Sequence, residues 1–127
     1  MRPAMPILSV VVALAGCTQG GQDATVPENP QALMLRVAKQ VQACWFKQPD
    51  PALKPYRMAS EVNSYAGQPR ILIVPRNRPE GLPKLVALAK REGGRTQFST
   101  FGPLLAEPKG PRLRAALNRW AAGSRQC

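Results

Sequence analysis

The chain contains no histidine, and only seven of its 127 residues are Asp or Glu. Without an imidazole there is no Ser-His-Asp triad, no Cys-His pair and no histidine ligand for a metal. The seven acids are Asp23, Glu28, Asp50, Glu61, Glu80, Glu92 and Glu107. Two lie in a polar N-terminal stretch and four in expected loops or turns. Only Glu61 falls inside an expected element, so acid–base chemistry by a tuned carboxylate pair has no seat. The sequence has no Cys-x-x-Cys, no Ser-x-x-Lys and no phosphate-cradling glycine loop. Aromatic residues make up 6%, and no apolar run reaches the roughly 20 residues that span a bilayer. These absences point away from an enzyme, with no catalytic residue, metal or cofactor expected.

Positive charge is abundant. Eighteen Lys and Arg, twelve of them Arg, give a formal net charge of +11. The length suits one compact domain, and 44% hydrophobic residues suffice for a core. Fourteen prolines and ten glycines imply short elements and many turns.

Residues 1–16 read as a secretory signal peptide. One positive charge at Arg2 precedes an apolar run that ends in small residues. The stretch Leu14-Ala15-Gly16-Cys17 resembles the lipobox of bacterial lipoprotein precursors. That resemblance implies cleavage before Cys17 and lipidation of Cys17 by a diacylglycerol and an acyl chain. Two or three chains would hold the protein on a membrane. Thr18, standing where an Asp would retain a lipoprotein in the inner membrane, implies the outer membrane, facing the periplasm. The chain also resembles the small envelope lipoproteins of proteobacteria. Cleavage would remove Arg2 and leave 111 residues with 17 cations against seven acids, a net +10.

With Cys17 assigned to the lipid, two of the three cysteines remain. In an exported chain Cys44 and Cys127 most simply pair as a structural disulfide. Residues 17–29 are polar and read as a lipidated, flexible tether. Residues 30–127 read as a single small domain. Asn29 and Pro30 suit the start of a helix running to about Lys47, with Met34, Val37, Val41, Cys44 and Trp45 on one face. Strand patterns follow over 56–63, 70–75 and 95–101. Residues 84–92 fit either a helix or a strand, and Gly93-Gly94 favours a strand entering a hairpin. A last helix is expected from Pro111 to Ala122, closed by Gly123.

The expected fold is therefore α+β: a two-layer sandwich in which a small antiparallel sheet of about four strands is covered by an N-terminal and a C-terminal helix. Trp45 and Trp120 would pack on Ile71, Ile73 and Phe98. In layout alone this resembles the small periplasmic C-terminal domains of TonB and TolA, and no residue or function is carried over from them.

The basic residues group in three places: Arg76 with Arg78, Lys90 and Arg91 with Arg95, and Arg112, Arg114, Arg119 and Arg125, of which Arg112 and Arg119, seven apart, share one helix face. In a cytosolic chain such a balance would suggest nucleic acid. Export argues against that, and redirects the expectation to anionic lipid, lipopolysaccharide phosphates or peptidoglycan carboxylates. An envelope protein is the other expected partner. The alternative reading is an accessory or assembly subunit that docks a strand edge onto a larger outer-membrane or secretion complex, with its basic surface incidental.

Overall fold

The computed structural model describes Pro3 and residues 24–63 and 68–127. The rest of the expected signal peptide, Cys17, the tether as far as Asp23, and 64–67 of an expected turn lie outside the described residues.

The elements follow in the order β1 (Thr25–Val26), α1 (Pro30–Val41), β2 (Tyr56–Glu61), β3 (Arg70–Pro75), β4 (Leu85–Glu92), β5 (Arg95–Phe101) and α2 (Gly110–Ala121). A π-helical turn (Gln42–Lys47) prolongs α1, and 3-10 turns occupy Pro51–Leu53 and Pro103–Ala106. The strands form one antiparallel sheet in the order β1-β5-β4-β3-β2. The fold is α+β, with both helices on one face of the sheet.

Local chemistry explains the boundaries. The Asn29 side chain accepts a hydrogen bond from the Ala32 N–H at 2.8 Å, and Pro30 opens the helix where a missing N–H costs nothing. Leu33, Met34, Val37 and Val41 recur at helical spacing and are buried. In the strands the period is two. Ile71 and Ile73, Leu85, Ala87 and Ala89, and Phe98 point into the same core. Gly93 and Gly94, at φ +53° and +80°, make the two-residue turn that joins β4 to β5. Gly123, at φ +114°, ends α2. Its N–H donates to Trp120 O and that of Ser124 to Arg119 O, which satisfies two carbonyls at the helix end.

Trp45 and Trp120 meet across the helix layer with ring centroids 5.3 Å apart, tilted by 60°. Beside them Cys44 and Cys127 are disulfide-bonded, 83 residues apart in sequence. The C-terminal tail folds back so that Trp120 Nε1 donates to Gln126 O at 2.7 Å.

The structure departs from the sequence reading in three places. The sheet has five strands rather than about four, because Thr25 and Val26, expected in the tether, pair with Gln97 and Thr96 of β5. Two β-branched residues are too few to show a period. The first helix changes to a π-helical turn at Gln42. The last helix begins at Gly110, one residue before Pro111.

Candidate functional site

The cations grouped in the sequence do not form one patch. Arg76 and Arg78 stand exposed in the loop between β3 and β4, at one end of the sheet. Lys90 and Arg95 flank the β4–β5 hairpin at the opposite end. Arg91, one residue on from Lys90, lies on the other face of β4 and lines a shallow hollow with Gln31, Asn63 and Pro69.

Arg112 and Arg119 are engaged inside the domain. Arg112 forks onto Asp50, with Nη1 2.7 Å from Oδ2 and Nη2 3.4 Å from Oδ1. The hydrogen bond from Arg112 holds the Asp50 carboxyl below the usual carboxylate range. Partial burial opposes that shift, while the Ala52 N–H and the charges of Arg112 and Lys109 add to it. Arg119 Nη2 lies 3.4 Å from Cys127 O. These two arginines tie α2 to the turn before β2 and to the C-terminal tail.

The remaining charge is distributed very unevenly between signs. Among the described residues the ion pairs are Arg36–Glu28, Arg70–Glu61, Lys109–Glu107 and Arg112–Asp50. They occupy four of the six described acids and leave thirteen described cations outside any ion pair.

Strand register shows which cations share a face of the sheet. Residues 57, 59 and 61 of β2 pair with 74, 72 and 70 of β3. Leu72 in turn pairs with Val86, and Val86 with Phe101. Ala59, Leu72, Val86 and Phe101 thus form one row across four strands, on the face turned away from both helices. Neighbours in the row above and below include Val74 and Leu88. Arg57, Arg70, Lys84, Lys90 and Arg95 surround this apolar centre, and Glu61 and Glu92 are the carboxylates on it. Among the described residues no helix covers this face, yet Val74 and Val86 on it are buried and Phe101 is its exposed large apolar side chain. It is half apolar and rimmed by cations.

Sequence reasoning missed this surface, because it weighed charges by their grouping along the chain. A signal was present. Ile71-Leu72-Ile73-Val74 is apolar without alternation, the pattern of a strand with apolar contacts on both faces.

Among the described residues β2 is the longer of the two edge strands. The two-residue β1 pairs with Thr96 and Gln97 of β5, and no described strand pairs with the outer side of β2. Among the described residues no three His, Cys, Asp or Glu side chains come together as metal ligands, and no helix is long and apolar enough to cross a membrane. Compared with protein-family models, curated proteins and solved structures, the chain matches none of them.

Proposed function

We propose that this chain is an exported bacterial lipoprotein of the cell envelope whose small basic domain is held at a membrane surface and binds an anionic component there. Residues 1–16 act as the signal peptide, and Cys17 carries the diacylglycerol and acyl chain. The protein faces the periplasm from the outer membrane and is a binder rather than an enzyme. The observation that carries this reading is the charge imbalance. Thirteen described cations lie outside any ion pair, against two described acids, Glu80 and Glu92. Each cation brought to an anionic membrane surface contributes about 1 kcal/mol, so a few acting together suffice for reversible docking. Anionic phospholipid, lipopolysaccharide and peptidoglycan all present the required charge.

The test is twofold. C17A should move the protein out of the membrane fraction. The purified protein should bind vesicles, lipopolysaccharide or peptidoglycan with an affinity that falls as salt rises. Salt-insensitive absence of binding to all of these would remove the anionic-ligand reading.

One observation favours a second reading, an accessory subunit of a larger envelope complex. The outer edge of the six-residue β2 offers the backbone donors and acceptors of its alternate residues for strand addition. Crosslinking in detergent-solubilised envelopes distinguishes the two: a stoichiometric protein partner supports the subunit, a lipid or glycan alone supports the binder.

A further inference from the structure

Three large apolar side chains stand exposed among the described residues: Leu35 at 45%, Leu82 at 85% and Phe101 at 50%. Two of them belong to one end of the molecule. Phe101 closes β5 on the open face, opposite Val86. Leu82 lies in the loop that enters β4. The segments that carry them abut. The Leu104 N–H donates to Lys84 O at 2.9 Å, and a Cβ on Gly102 would lie 2.5 Å from that same oxygen.

Arg57, Arg76, Arg78 and Lys84 are exposed at this end, and none is in an ion pair. Arg57 is the second residue of β2, opposite Val74. The Arg76 N–H donates to Pro55 O at 2.8 Å, which ties the loop to the start of β2. Glu80 is the one carboxylate in that loop. Exposed apolar anchors among uncompensated cations suit an anionic bilayer, because apolar groups enter the headgroup boundary while cations meet phosphates.

The direction of the chain is a second, independent observation. β1 runs antiparallel to β5, with Val26 opposite Thr96 and Thr25 opposite Gln97. Ala24 O accepts from the Phe98 N–H at 2.8 Å. Traced backwards from Val26, the chain therefore heads along β5 towards Phe101. From Ala24 back to Cys17 is a stretch that spans at most about 25 Å when fully extended. A lipid on Cys17 would hold Ala24, which lies opposite Phe98 at the middle of β5, within that distance of the bilayer.

We infer that the Phe101 end of the open sheet face is the surface on which the domain lies against an anionic phospholipid bilayer. Phe101 and Leu82 enter the interface, and Arg57, Arg76, Arg78 and Lys84 meet the headgroups. This inference rests on the lipid-anchor reading of Cys17.

The test uses the full chain, purified from membranes and reconstituted into phosphatidylethanolamine–phosphatidylglycerol vesicles with brominated acyl chains. Three single variants report position: F101W, L82W and, on the helix side, L35W. Trp45 and Trp120 are buried and give the same background in each. Emission added by F101W and by L82W should fall roughly twofold on these vesicles, and far less on brominated phosphatidylcholine. L35W should be unaffected. Two reporters at independent positions guard against one variant misfolding. Vesicles that carry the protein but leave F101W and L82W unquenched, or that quench L35W in their place, overturn the inference alone. Unmodified protein that fails to float with vesicles, as C17A should fail, sinks the anchor and the inference together.

Discussion

Arg36 of α1 donates to the main-chain oxygen of Ala121, the last residue of α2, at 2.8 Å. The same guanidinium reaches Trp120 O and the Glu28 carboxylate. Carbonyls at a helix C-terminus have no intrahelical partner and carry partial negative charge. Arg36 therefore joins both helices and the segment between β1 and α1 through one side chain. R36A should cost about 2 kcal/mol, because it removes the charge-assisted bonds to Ala121 O, Trp120 O and Glu28. R36K should recover less than half of that, since an ammonium does not present a planar fork. The midpoint of urea unfolding measures both; an unchanged midpoint for R36A would contradict the assignment.

Asp50 gives a pH signature. Its carboxyl is held below the usual range chiefly by the hydrogen bond from Arg112. A lowered folded-state pKa contributes stability that is fully present above the unfolded value of about 3.9 and is lost as pH falls through the folded value. D50N keeps a side chain able to cap the turn at Ala52 but loses the charge. The wild type should therefore be more stable than D50N at pH 7, and the difference should vanish in acid. Thermal unfolding of the pair at several pH values checks this. A difference independent of pH would assign the effect to packing instead.

Gly110 tests the close approach between α2 and the 3-10 turn before it. A Cβ at Gly110 would overlap the backbone carbonyl of Leu105. G110A should cost about 3 kcal/mol, because backbone and not a flexible side chain must move. G93A offers a contrast, since nothing lies within 4 Å of its Cβ and the penalty is conformational alone. G110A should be the more damaging of the two in denaturant.

The disulfide closes a long loop. With Cys44 and Cys127 separated by 83 positions in sequence, the chain-entropy model gives it about 4 kcal/mol. C127S should lower the unfolding midpoint accordingly, and denatured, unreduced wild-type protein should show no free thiol at either position. Detection of two free thiols would contradict the bond.

Much of this domain is legible in the sequence where local chemistry is strong. Asn29-Pro30 announces the first helix, Gly93-Gly94 the hairpin, and Gly123 the last helix end. Setting Cys17 aside leaves the two cysteines that the structure joins. Thr25-Val26 was not legible, because a two-residue strand exists only through its pairing with β5. The candidate surface was only half legible. Grouping cations along the chain puts Arg112 and Arg119 with the rest, yet the fold sets them against Asp50 and Cys127. Conversely Arg57 and Lys84 stand alone in sequence, and the fold places them at the end of the sheet that carries Phe101. Long-range register, which a single sequence does not display, decides both outcomes.

Lipid anchorage at Cys17 is the premise on which the functional reading stands, and one measurement addresses it directly. Intact-mass and peptide mass spectrometry of the protein extracted from bacterial membranes should show a chain that begins at Cys17 and carries a thioether-linked diacylglycerol and an amino-terminal acyl chain. A chain that begins elsewhere, or one that begins at Cys17 without lipid, would contradict it.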